Sequence, residues 1–227
     1  MSNKIVKTGI LIVLLVIPVF VFIFLNTFGS NKFDLPYYFP ELNEKGNAQV
    51  SEKGDTLFQK VPAFELIDQN GELFNSSDLV GKTFVVNFFF SRCGAICPTM
   101  NSNLARAYDN VDINKTRFVS ISIDPEYDTD SVLNVYSKEY SANSVYWKFL
   151  TGDKAYIYNL AINGFKLPVA DASSYDSNLS IDETFIHSEK FLLVDSHGYF
   201  RGIYDGTSIP EVERLMVEID ILNLEKK

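Results

Sequence analysis

The only two cysteines of the 227-residue chain, Cys93 and Cys97, stand together in the stretch NFFFSRCGAICPTM, at the end of a long apolar run. A thiolate can act as a nucleophile, a redox partner or a soft metal ligand. Two at one turn could therefore cycle through a disulfide or grip a metal. Cys97 immediately precedes Pro98, and proline is favoured at the first position of a helix. Cys97 is thus expected at or next to the N-cap, where unsatisfied N–H groups and the positive helix end favour a thiolate. Three plainer uses compete. A structural disulfide here would close a five-residue loop, constraining the unfolded chain by about 2 kcal/mol, against about 4.7 kcal/mol for a loop of 100 residues. A structural zinc site needs four ligands, and the chain has two cysteines and two histidines in all. Two inert buried thiols are the third possibility.

His187 adds a third donor. It lies in DETFIHSEKFLLVD, just ahead of an apolar strand that the α/β pattern places beside the central one. Two thiolates and an imidazole form a soft three-coordinate set. Such a set suits Cu(I), can also hold Cu(II), and is a poor match for oxygen-preferring ions. His197, in the turn Asp195-Ser196-His197-Gly198, reads as an exposed turn residue, and Met100 reads as core-facing. Asp124 and Asp128, in Asp-Pro-x-x-Asp after a strand, have the form of an ordinary turn into a helix.

The elements that must position these residues follow from the hydropathy pattern. AFELID and ELFNSS flank Gln69-Asn70-Gly71 as a hairpin. KTFVVNFFF (Lys82 to Phe90) and TRFVSISID (Thr116 to Asp124) are continuous apolar runs, the mark of strands buried on both faces. A helix is expected from Pro98 to about Asn110, others over Asp130–Tyr140 and Asp153–Ile162, and a strand in VYWKFL. EKFLLVD and YFRGIYDG pair as a second hairpin. Ile209 to Leu224 closes the chain as an amphipathic helix, with Val212, Leu215, Met216, Ile219 and Leu222 on one face. The expected fold class is α/β: a thioredoxin-like central sheet with flanking helices and an N-terminal hairpin.

The run GILIVLLVIPVFVFIFL, Gly9 to Leu25, carries no charge and is long enough to span a bilayer. Lys4 and Lys7 precede it and no acid appears before Asp34, so the N-terminus is expected to stay cytoplasmic with the rest outside. A cleaved signal peptide is the competing reading. The expected division is a cytoplasmic N-terminus at 1–8, a transmembrane anchor at 9–28, a linker at 29–60 and the α/β domain at 61–227. Beyond Phe33 lie 17 of the 20 basic residues and all 29 acidic ones, a net charge of −12. That surface argues against a nucleic-acid partner, which favours a basic face.

Taken together, these residues resemble the Sco/SenC copper-binding proteins, which are membrane-anchored and thioredoxin-like. FFFSRCGAICPTM is similar to the family's Phe-x-Phe-(Thr/Ser)-x-Cys-x-x-x-Cys-Pro. VSISIDPEYDT is similar to its Ser-x-Asp-Pro-x-x-Asp-Thr, and IHSEKFLLVDSHGYF to its His, strand and Asp-x-x-Gly turn. The resemblance implies that Cys93, Cys97 and His187 bind copper and that Asp124 lies near the metal as an outer carboxylate or a partner contact. It further implies delivery to the dinuclear copper site of cytochrome c oxidase, possible exchange with other copper chaperones or thioredoxin-like reductants, and a periplasmic, single-pass location. Two residues depart from the pattern. Gly94 stands where many members have proline, which loosens the loop, and Ile186 stands where many have aspartate before the histidine. The alternative is a membrane-tethered thiol–disulfide oxidoreductase using the same two sulfurs. Against a general thioredoxin stand the Cys-x-x-x-Cys spacing, Arg92 in place of the usual tryptophan, and the absence of a proline ahead of EKFLLVD.

Overall fold

The computed structural model describes residues 2–28, 34–94, 96–171 and 185–225; the side chains of 2–5, 25–28, Ile186 and His187 lie outside the description. Two compact units result, Met1–Asp34 and Leu35–Lys227. In the first, α1 (Ser2–Phe28) contains the span Val6–Phe24, long and apolar enough to cross a membrane. A signal sequence would share that length and composition. Pro18 lies inside the helix, as membrane helices tolerate.

The second unit is built on β3 (Thr83–Phe89) and β4 (Thr116–Ser122), paired in parallel from Thr83↔Thr116 to Phe89↔Ser122. All seven residues of β3 are buried, because neighbours pair on both edges and helices cover the faces. The full sheet adds β1 (Glu65–Asp68), β2 (Leu73–Asn75), β5 (Trp147–Thr151), β8 (Lys190–Val194) and β9 (Phe200–Asp205), in the order β2-β1-β5-β4-β3-β8-β9. This is the expected α/β sheet. The β1–β2 hairpin turns at Gly71, whose φ of 77° is the left-handed conformation that glycine adopts without strain. The β8 strand pairs antiparallel with β3 through Phe84↔Val194 and Val86↔Leu192, beside the central strand as the pattern required.

Helices α2 (Ile96–Asn110), α3 (Asp130–Glu139), α4 (Lys154–Asn159) and α5 (Ile209–Leu224) complete the unit. Val212, Leu215, Ile219 and Leu222 of α5 are buried and Met216 packs partly buried against them, the face expected from its period. Thr129 caps α3, its side chain accepting from the Val132 N–H, so the Asp124–Asp128 stretch does turn into a helix start. The α4 helix is shorter than expected and runs into a π turn, Leu160–Gly164. A separate two-stranded ribbon, β6 (Val169–Asp171) with β7 (Phe185–His187), has no counterpart in the sequence reading.

One boundary needs correcting. Residues 35–60, expected as part of a linker, belong to the compact unit. The buried Arg201 guanidinium donates to the carbonyls of Leu35 (2.8 Å) and Pro36 (3.3 Å), pairs with Asp195 and Glu225, and lies 4.2 Å from the Tyr37 ring centroid. The Tyr38 N–H donates to Phe200 O, and the Phe39 ring meets Phe200 edge-on at 5.0 Å. Proline, glycine and charge hide periodicity here, but three successive aromatics supply apolar area for burial against β9.

Candidate metal centre

The site begins where β3 ends. The chain turns through Phe90, Ser91 and Arg92, with the Cys93 N–H donating to Phe90 O at 3.3 Å. Helix α2 then starts at Ile96, two residues before Pro98, which corrects the expected start. Cys97 is its second residue, and its backbone N–H donates to the Cys93 sulfur at 3.4 Å. The helix's positive end therefore serves Cys93, where the reading of the sequence had assigned it to Cys97. Cys93 supplies the N-terminal acceptor that Ser, Thr, Asp or Asn usually provides.

Both cysteines are buried thiols, with no disulfide between them. The Cys97 thiol is pushed far above its ordinary value, first by its hydrogen bond to the Cys93 sulfur, then by burial and by the nearby charge of Asp128. That reverses the expectation of an activated Cys97 thiolate. A second negative charge in this pocket is strongly opposed by burial and by the first.

Two carboxylates hold the turn. Asp128, fully buried, accepts from the Ser91 N–H at 3.0 Å and from the hydroxyls of Ser91 and Ser122. Asp124, nearly as buried, is gripped by Arg92 through Nε at 2.9 Å and Nη2 at 2.5 Å. The Arg92 guanidinium also lies 4.3 Å from the Tyr127 ring centroid. Burial raises the Asp124 pKa and Arg92 only partly offsets it. Asp124 thus reaches the cysteine turn through Arg92. Sequence reasoning noted Arg92 only as a residue unlike thioredoxin's; a cation set in an apolar motif, SRC, was the available signal.

His187 ends β7, its backbone paired with Val169. The same strand carries Phe185, buried, whose ring lies 5.1 Å from that of Phe90. The strand bearing His187 therefore packs onto the residue three positions ahead of Cys93. Among the described residues no three His, Cys, Asp or Glu side chains gather as a metal cluster, and the His187 side chain is outside that set. His197 lies elsewhere. It follows β8, whose Val194 pairs with Phe84 at the start of β3, whereas the cysteines follow the finish of that strand. Seven residues of strand span about 20 Å, too far for His197 to join them. Met100 is fully buried in the core, as expected.

Comparison with known proteins agrees with this fold. The SCO1/SenC family profile matches residues 53–220. The chain belongs to the SCO1/SenC family. A SCO2-like protein of Rickettsia typhi is 35% identical over 155 residues, covering 66% of this chain and 72% of its own length. The structure of BsSco, described as a member of the Sco family of cytochrome c oxidase assembly proteins and as having a disulfide switch, superposes with a TM-score of 0.63. It is 24% identical and the match covers 74% of this chain and 95% of BsSco. ScoI of Bradyrhizobium japonicum, solved with copper bound, superposes with a TM-score of 0.58 at 24% identity, covering 72% and 99% of the two chains.

Proposed function

We propose that the chain is a membrane-anchored copper chaperone. It binds one copper ion through Cys93, Cys97 and His187 and helps assemble the dinuclear copper site of cytochrome c oxidase. The observation that carries this reading is the pair of buried sulfurs at the end of β3, one capping the helix that holds the other, with the His187 strand packed beside them. The chemistry of that donor set fits copper. Two soft sulfurs held at one turn match a soft cation best, and binding it would release their protons. The copper found in ScoI and the oxidase assembly role given to the BsSco family support the same reading.

Copper is cargo here. The domain's task is to hold the two sulfurs at one end of a rigid sheet and release the ion to a partner's ligands. Asp128 and the Asp124–Arg92 pair fix the turn, and α1 tethers the domain at the membrane, with the domain on the extracytoplasmic side. The test is copper stoichiometry of the reduced full-length protein in detergent, with competing chelators at fixed pH. One copper per chain is expected, lost in Cys93→Ser and Cys97→Ser. His187→Ala is expected to keep much of the Cu(I) affinity while sharply weakening Cu(II), because harder Cu(II) depends more on nitrogen. Wild-type binding by all three variants would refute the copper reading and leave thiol–disulfide exchange as the use of the pair.

A further inference from the structure

We propose that Lys154 is a positioning residue, an ion-pair bracket that holds the His187 strand at a fixed distance from the cysteine turn. The inference rests on the reading of His187 as a copper ligand. Lys154 is the first residue of α4, fixed by Asp153, whose side chain caps the helix by accepting from the Tyr156 N–H at 2.8 Å. Its ammonium lies 2.6 Å from Asp171 Oδ2 and 3.5 Å from Glu126 Oε2. These two carboxylates belong to different parts of the site. Asp171 is the β6 residue paired with Phe185, and the same ribbon pairs Val169 with His187. Glu126 sits between Asp124, which holds Arg92, and Asp128, which holds Ser91. Lys154 also lies 5.8 Å from the Phe185 ring centroid, and that ring rests on Phe90.

The loop 124–128 is therefore a common frame. On one side it grips the residues directly before Cys93, and on the other it reaches the His187 ribbon through one lysine. The ribbon is two short strands separate from the main sheet, so few backbone bonds fix its place. The Lys154–Glu126 arm is exposed and adds little to stability, whereas the Lys154–Asp171 arm is shorter and more buried, so a positioning role is distinguished from a structural one by a loss confined to one oxidation state of the metal. A planar Cu(II) site depends on where the imidazole stands, whereas two sulfurs alone can hold Cu(I). The affected state is then Cu(II).

The experiment compares Lys154→Met, Lys154→Arg, Asp171→Asn and His187→Ala in full-length protein. Readouts are Cu(I) and Cu(II) affinity by chelator competition and the thiolate-to-Cu(II) absorption band. Lys154→Met is expected to weaken Cu(II) about ten-fold, the lower end for groups that orient metal ligands, and to shift the band. Cu(I) affinity should stay within about two-fold, since the sulfurs are untouched. Asp171→Asn should reproduce the loss, Lys154→Arg should restore wild-type values, and Lys154→Met should cost nothing more in a His187→Ala background. Unchanged Cu(II) binding in Lys154→Met, or equal losses for both ions, would overturn the bracket while leaving His187 as ligand. Wild-type Cu(II) binding by His187→Ala would overturn the ligand reading and the bracket with it.

Discussion

Replacing Asp128 tests whether the cysteine turn is held from outside the motif. Its carboxylate is fully buried and accepts three hydrogen bonds, from the Ser91 N–H, the Ser91 hydroxyl and the Ser122 hydroxyl. Hydrogen bonds to a charged group contribute about 1.5–3 kcal/mol each, and a buried donor left without an acceptor costs about 1–3 kcal/mol. The two hydroxyls can rotate toward other acceptors, but the Ser91 N–H is fixed by the backbone. Asp128→Ala is therefore expected to destabilise the domain by about 3–5 kcal/mol, the range for breaking a buried charged network. Asp128→Asn keeps one oxygen for the Ser91 N–H and Ser122 hydroxyl and turns its amide to the Ser91 oxygen, so about 1–2 kcal/mol is expected. Urea unfolding of the reduced apo protein, followed by the fluorescence of Trp147, measures both, with unchanged slope as the control for an unchanged denatured state. Copper affinity should fall in the same order, because the turn that carries Cys93 loosens. A loss below about 1 kcal/mol for Asp128→Ala, or equal losses for alanine and asparagine, would refute the reasoning, since the magnitude rests on the three hydrogen bonds to the buried carboxylate.

Oxidation of Cys93 and Cys97 to a disulfide is expected to abolish copper binding and reduction to restore it, because a disulfide sulfur has lost its thiolate charge; equal binding by both forms would exclude the sulfurs as ligands. Asp68 is buried, yet its pKa is lowered: burial opposes ionisation, but Lys148 at 2.6 Å and the N–H groups of Asn70 and Glu72 outweigh it. A depressed acid stabilises the fold above its unfolded pKa and loses that contribution as pH falls through the folded value. Asp68→Asn should thus cost about 1–3 kcal/mol at neutral pH, with the gap to wild type closing below about pH 4; a constant gap would sink this account. Protease added to intact spheroplasts should degrade the domain, as Lys4 and Lys7 ahead of an uncharged span require, and full protection would reverse the orientation. His197→Ala should bind both copper ions like the wild type, given its place at the far end of β3.

What the amino-acid pattern discloses divides along a physical line. The strands β3 and β4 were readable because burial on both faces demands an unbroken apolar run, and α5 because its period survives sixteen residues. The ribbon β6–β7 was not, since Val-Ala-Asp and Phe-Ile-His are too short to display any period. The start of α2 was placed two residues late because its acceptor is a cysteine sulfur, outside the side chains that signal an N-cap. The docked segment 35–60 has the local pattern of a linker because its contacts with Phe200 and Arg201 lie some 160 residues away in sequence. The candidate ligands themselves were legible, since the chemistry admits few residue types: soft sulfur and imidazole, at a strand end. Their supports were not. Any acid can pair with any base, so nothing in SRC or in GDK announces Asp124, Glu126 or Asp171 as partners. Those pairs exist because the sheet order brings the ends of β3 and β4 together, and the turn after β4 then lies between the cysteine turn and α4. The motif specifies which atoms could bind a metal; the fold specifies how firmly, and from which side, they are held.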